Sequence, residues 1–190
     1  MTVYETILKR RTVRSFQPRT VPGSILEKMV NAGRLAPSAA NLQPCEFLIV
    51  DEQDLIAAVF STLQWAGYVT PAGNPPEGKR PVAYIVLLLN QEKSQGGISE
   101  AGAVIENMIL TGLEEGVASC WLGSVDRGQL VKILNIPDYC RIDSVLALGY
   151  PDQENQVEDF AGSVKYWLDE NGNFHVPKRS LKDVLHRNTY

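Results

Sequence analysis

Lys9, Arg10, Arg11 and Arg14 place four cations within a few residues of each other, with the hydroxyls of Thr12 and Ser15 among them and the apolar Leu8 and Phe16 at the ends. A guanidinium offers parallel donors and keeps its charge, which suits it to phosphate. Hydroxyls add short donors. If the helix suggested by Val3-Tyr4-Glu5-Thr6-Ile7-Leu8 runs on to Arg14, then Arg10 and Arg14 share a face, because residues four apart are neighbours there. Lys9 is expected to stay in solvent. The cluster is compatible with an anion site and also with a solvated basic patch. A second polar cluster, Ser38, Asn41 and Gln43, lies between Pro37 and Pro44. Amides donate and accept at once, which suits a heterocycle with alternating carbonyls and ring nitrogens. The plainer reading is a turn in which Ser38 and Asn41 bond their own backbone. Phosphate plus planar heterocycle describes a mononucleotide, and flavin mononucleotide (FMN) fits.

The elements that must position these groups are legible as patterns. A helix is expected over residues 3–11. Ser24 and Glu27 form a capping box for a second helix, with Ile25, Met29, Val30 and Leu35 as its apolar stripe, ending before Pro37. Residues 45–50 read as a buried strand and Asp54 starts a helix. Residues 66–81, rich in Gly and Pro, form a long surface excursion. The near-continuous apolar run 81–89 suits a strand covered on both faces. Residues 98–115 give the longest helical pattern, apolar around its middle and closed by Gly116. A strand and turn follow over 117–123, then a helix capped by Asp126 and a strong strand over 144–150. An edge strand or an extended arm is expected at 165–168, and a capped C-terminal helix at Ser180-Leu181-Lys182-Asp183. Strict βαβ alternation is absent, so the fold class is α+β, a single domain over residues 1–190.

Composition narrows the functions. The net charge of −4 argues against a general nucleic-acid binder. No apolar run reaches membrane-spanning length. Three widely spaced cysteines and no CxxC argue against a disulfide framework, and two histidines near the C-terminus argue against a histidine-rich metal site. These features point to a cytoplasmic protein without membrane or nucleic-acid partners. There is no GxGxxG turn, P-loop or GxSxG elbow. Catalysis by a side-chain nucleophile is therefore not expected.

The order Arg10-Arg11-Thr12-Val13-Arg14-Ser15-Phe16, then Pro37-Ser38-Ala39-Ala40-Asn41-Leu42-Gln43-Pro44, resembles the opening of the nitroreductase family of FMN-dependent flavoproteins. The stretch from Ile98 to Gly123 resembles its long central helix and the segment after it, here Gly116-Val117-Ala118-Ser119-Cys120-Trp121-Leu122-Gly123. Ile136-Pro137, Leu148-Gly149-Tyr150-Pro151 and Pro177-Lys178-Arg179-Ser180-Leu181 match later patterns, so the likeness spans nearly the whole chain. It implies a nitroreductase-like fold, a central mixed or antiparallel sheet surrounded by helices. It also implies a homodimer with exchanged tails and an FMN at each subunit interface. By position, Arg10, Arg11 and Arg14 would hold the phosphate and the ribityl or ring oxygens, with Thr12 assisting and Arg14 at the N1–C2=O edge. Pro37, Ser38, Ala39 and Asn41 would come from the second chain, with Gln43 near. Leu122 and Gly123 would approach the flavin N5 region through backbone groups, and Lys178 or Arg179 would close on the phosphate. The implied activity is ping-pong transfer of electrons from NADH or NADPH, through the flavin, to a small conjugated acceptor such as a nitroaromatic or quinone. A flavin carrier or sensor remains open, as does a specialised reaction: dehalogenation, flavin breakdown or ring dehydrogenation. Two departures stand out. Cys45 occupies a place where an aromatic residue often follows Gln-Pro, and the excursion 66–81 replaces a segment that contacts substrate in larger members.

Overall fold

Ala83-Tyr84-Ile85-Val86-Leu87-Leu88-Leu89 has no polar face, and the fold buries both of its sides. In the computed structural model, which describes all residues Met1–Tyr190, strands β1 (Cys45–Val50), β2 (Ala83–Asn90), β3 (Ala118–Leu122) and β4 (Cys140–Gly149) form one sheet in the order β1-β2-β4-β3. All three pairings are antiparallel. Because side chains alternate along a strand, Tyr84, Val86 and Leu88 enter one core with Val59, Trp65 and Leu130. Ile85, Leu87 and Leu89 enter the other with Leu26, Met29, Val104, Ile105 and Met108.

Five helices cover the sheet: α1 (Val3–Lys9), α2 (Gly23–Gly33), α3 (Gln53–Ser61), α4 (Ile98–Glu114) and α5 (Arg127–Leu134). Helices α2 and α4 cover one face closely because two glycines permit it. A Cβ on Gly33 would stand 2.9 Å from Met108 Cγ, and one on Gly112 2.8 Å from Met29 Cε. Gly116, at φ +75°, turns the chain from α4 into β3. Asp126 caps α5 by accepting from the Gln129 N–H at 3.0 Å, as its position implies.

Several expectations change. Helix α1 stops at Lys9, and residues 10–16 are extended. Thr12 bridges Ser119 in parallel, with the Val13 N–H donating to the Ser119 carbonyl at 2.9 Å. The cause is tertiary: once the chain leaves the helix, Val13 and Phe16 both reach the interior and pack with Ala118. Arg10 and Arg14 therefore share no helical face: Arg10 reaches Glu106, and Arg14 lies over Phe174 and Tyr166. Ser24 is not a cap. Helix α2 begins two residues earlier, at Gly23 after Pro22, with no side-chain cap, and buries Leu26, Met29 and Gly33 while Leu35 is exposed. The expected C-terminal helix is one 3-10 turn, Leu181–Asp183, capped by Ser180 and Asp183. Beyond the expected strand, here β6 (Trp167–Leu168), the C-terminal region forms β5 (Gln156–Asp159) and β7 (Phe174–Lys178). These make a three-stranded sheet in the order β5-β7-β6, with β5 parallel and β6 antiparallel to β7. No helix is long and apolar enough to cross a membrane.

Candidate functional site

The four cations of the basic segment take four different places. Lys9 is exposed on the last turn of α1. Arg10 is part-exposed, with Nε 3.6 Å from the Glu106 carboxylate on α4. Arg11 folds back: its Nη1 donates to the Leu8 carbonyl at 2.8 Å and to that of Arg10. A helix C-terminus leaves such carbonyls unpaired and favours a cation there. Burial first, and then the charge of Arg10, pull the Arg11 pKa below the usual arginine range. Arg14 points inward. Its guanidinium lies 4.6 Å from the ring centre of Phe174 and 5.2 Å from that of Tyr166. Its Nε is buried with no hydrogen-bond partner. Thr12 is part-buried beside β3, and its carbonyl accepts from Asn155 Nδ2 at 2.7 Å.

The Pro37–Pro44 loop is a strained, exposed turn. Ala40, Asn41 and Gln43 have φ of 48°, 55° and 49°, a region that non-glycine residues visit rarely. Ser38 Oγ accepts from the Gln43 N–H at 3.0 Å, and Gln43 Nε2 donates to the Asn41 carbonyl at 3.3 Å. Of the expected local turn, Ser38 does bond backbone within its own loop, while Asn41 contributes its carbonyl and not its side chain. The Ala39 N–H donates to Glu100 Oε1 at 3.1 Å, which holds that carboxyl below its ordinary pKa. Pro37, Ser38, Gln43, Cys45 and Glu100 border a cavity of about 170 Å³. Burial, followed by the charges of Glu100 and Asp143, pushes the Cys45 thiol up to about 11. Burial likewise pushes Cys120 to about 11 despite the pull of Arg14, so that thiol is inert at neutral pH.

At the end of β3, Leu122 sends its side chain into the core and Gly123 emerges into solvent. The N–H groups of Gly123 and Ser124 have no acceptor in the chain. The Ser124 carbonyl accepts from the Gln64 N–H at 3.1 Å. Between this turn and the excursion lies a cavity of about 430 Å³ bounded by Leu63, Gln64, Trp65, Thr70, Asn74 and Ser124, none of them charged. Lys178 and Arg179, at the end of β7, are exposed, and neither bonds to the basic segment. Arg179 instead donates to the Asp183 carbonyl.

The structure thus sets Thr12 and Val13 against Ser119 on β3 and brings Arg14 beside Cys120 on the same strand, whereas Leu122 and Gly123 lie further along it and Arg10 reaches Glu106 on α4. It does not bring them to the Pro37–Pro44 loop. That loop leads into β1, and β1 and β3 are opposite edges of the sheet. Three inter-strand spacings of roughly 4.8 Å separate them. Unforeseen participants surround Arg14: the Gln153 amide oxygen takes its backbone N–H at 2.8 Å, and Asn155, Tyr166 and Phe174 pack beside it. No group of three or more His, Cys, Asp or Glu side chains is placed to hold a metal ion.

This geometry has counterparts. A sequence model described as the nitroreductase family matches residues 7–150. A protein of Archaeoglobus fulgidus, provisionally named an NADH dehydrogenase/NAD(P)H nitroreductase, is 29% identical over 156 residues, 78% of this chain and 84% of its own length. The iodotyrosine deiodinase of Thermotoga neapolitana is 30% identical over 165 residues, 79% of this chain and 89% of its own. The crystal structure of a provisionally named nitroreductase from Desulfovibrio desulfuricans, in complex with FMN, superposes with a TM-score of 0.72 at 21% identity, covering 100% of this chain and 98% of that one. The solved structure thus shares the fold, and the chain belongs to the nitroreductase family.

Proposed function

We propose that this protein is an FMN-dependent oxidoreductase that takes electrons from NADH or NADPH and delivers them to a small conjugated acceptor. The carrying observation is the edge formed by the basic segment and β3. It offers a part-exposed cation, Arg10, paired with Glu106, and at the far end of β3 two unengaged backbone donors, Gly123 and Ser124. An FMN needs this combination: cations for its phosphate and donors for the ring's N5 and carbonyl edge. The buried, unpartnered Nε of Arg14 is a further donor without an acceptor. The residues therefore fit the cofactor. When bound, FMN supplies hydride acceptance from the nicotinamide and two-electron reduction of a second substrate. Arg10, with Thr12 beside it, binds the phosphate, and Arg14 orients the pyrimidine edge. Arg11, engaged with the end of α1, contributes positive charge at longer range.

We assign Pro37, Ser38, Ala39, Asn41 and Gln43 to a second copy of the chain, because one copy holds them at the far edge of its sheet. A two-fold axis sets residue i of one copy against residue j of the other and j against i, so a site shared between two copies forms twice. Arg179–Tyr190, with Leu181, Val184 and Leu185 exposed, is the segment we assign to tail exchange, carrying Lys178 and Arg179 towards the phosphate. The free cysteines support a reducing, cytoplasmic compartment. The likeness to a deiodinase favours reductive dehalogenation as a second reading. The uncharged lining of the cavity beside Ser124 favours neutral acceptors over an amino acid zwitterion.

The deciding experiment is FMN titration of the purified protein, followed by anaerobic addition of NADH or NADPH with absorbance recorded. Bound flavin that bleaches supports the oxidoreductase. Bound flavin that stays oxidised supports a carrier, and a protein that takes up no FMN overturns the reading. Arg10→Ala should cost about 1.5–3 kcal/mol in FMN affinity, and unchanged affinity refutes its phosphate role. A monomer in sedimentation that holds FMN at full affinity refutes the shared site.

A further inference from the structure

Arg127, the first residue of α5, is absent from every motif considered above, yet its side chain reaches back across the end of the central sheet. The ladder between β3 and β4 ends at the pair Leu122 and Val145. Beyond it, Arg127 takes the carbonyls that further pairing would use. Nε donates to the Ile142 carbonyl at 3.0 Å, and Nη2 donates to the Asp143 carbonyl at 2.6 Å and the Gly123 carbonyl at 3.2 Å. One planar fork thus spans the ends of two strands and replaces the N–H donors that the strands would otherwise exchange. The N–H groups of Gly123 and Ser124 beside it have no acceptor in the chain. Those two donors are the ones that face the ligand in the FMN reading.

We propose that Arg127 is a positioning residue of the flavin site, holding the Gly123-Ser124 turn open and polarising its peptide. The assignment rests on the FMN reading above. Two effects follow. The turn is pinned from three sides: by Arg127, by Gln64 through the Ser124 carbonyl, and by the Asp126 N–H on the Thr62 carbonyl at 2.8 Å. A charge-assisted bond to the Gly123 carbonyl also draws electron density through the peptide, so the Ser124 N–H becomes the stronger donor. A donor that strengthens where negative charge gathers favours the reduced flavin over the oxidised form. Lysine is a poor substitute, because a single ammonium cannot span three carbonyls with a fixed fork.

The test compares wild type with Arg127→Gln and Arg127→Lys. The first measurement is 15N relaxation of residues 123–126 without FMN. Motion of the turn should rise in Arg127→Gln, and unchanged relaxation overturns the clamp. The second is the midpoint potential of bound FMN. Arg127→Gln should weaken binding of reduced relative to oxidised FMN about tenfold, a fall of roughly 30 mV for a two-electron couple. Arg127→Lys should recover less than half of that, and millimolar guanidinium ion should restore Arg127→Gln part of the way. A wild-type potential in Arg127→Gln overturns the electrostatic role, which mere loss of fold stability would leave unmoved. Should wild type bind no FMN, the function reading fails while the relaxation result still decides the clamp.

Discussion

The two sheets of this molecule are built on different physics. In the central sheet, every residue of β2 is buried and both faces are apolar. The attraction is non-directional and scales with area removed from water. The small C-terminal sheet has one fully buried core side chain on β7, Phe174, with Tyr166, Leu168 and Val176 half-buried against the same core, and it is tied down further by directional polar contacts. Asn155 donates to the Thr12 carbonyl and accepts from the Phe174 N–H, each at 2.7 Å. Gln153 takes the N–H groups of Arg14 and Ser15 and donates to the Gly172 carbonyl. His175 sits between Glu158 and Asp169 and stacks on Trp167. The first sheet is a scaffold, whereas the second is a buckle that places Arg14. Losses in the first should spread through the whole domain, and losses in the second should stay local.

The largest expected effect tests the scaffold. Leu87→Ala leaves a cavity against α4 and should cost about 2–5 kcal/mol in global stability, read from urea unfolding. A loss below about 1 kcal/mol would mean that the site had collapsed to fill the space, and the two sheets would then differ less than their burial implies.

Next is the buckle. Asn155→Ala leaves the Thr12 carbonyl and the Phe174 N–H unpaired, and a buried polar group left without a partner costs about 1–3 kcal/mol. Hydrogen exchange should quicken in residues 153–178 and in the basic segment, with protection of β2 and β4 retained. Uniform loss of protection would show that the sheets unfold as one. FMN affinity should fall with the first pattern, since Arg14 loses its support.

This contrast also explains what the sequence could reveal. Strand β2, helix α4 and the Asp126 cap are local patterns, and each was legible as a periodicity or a cap. The basic segment was legible as chemistry but not as conformation. Its extended form depends on Val13 and Phe16 finding a core that no local window contains. Strand β7 was missed because Pro177 interrupts its five residues, and β5 because Asp152-Gln153-Glu154-Asn155-Gln156, which leads into it, offers no apolar alternation. Its two working amides find their partners 139 and 143 residues earlier in the chain. Arg127 was hidden for a related reason: its acceptors are backbone carbonyls, which have no residue signature.

The smallest expected effect concerns pH, and it separates the sheets by kind. The carboxylate of Glu158 at 2.6 Å, and then that of Asp169 at 3.5 Å, raise the His175 pKa above the ordinary 6.5. A raised histidine contributes its stability in full below the unfolded value and loses it as pH climbs through the folded value. Asp169 is lowered from 3.8, first by the Asn173 backbone N–H. Its contribution is present above that value and is lost as pH falls through the lower one. The buckle should therefore be firmest between these limits, loosening from the alkaline side through His175 and from the acid side through Asp169. Amide exchange in β5 and β7, corrected for intrinsic rates, should quicken as pH rises past 6.5, while β2 follows the intrinsic rate alone. His175→Gln should remove the alkaline limb and leave the acid limb in place. If both limbs persist in that variant, the histidine is a bystander and the polar buckle draws its strength from Asn155 and Gln153 alone.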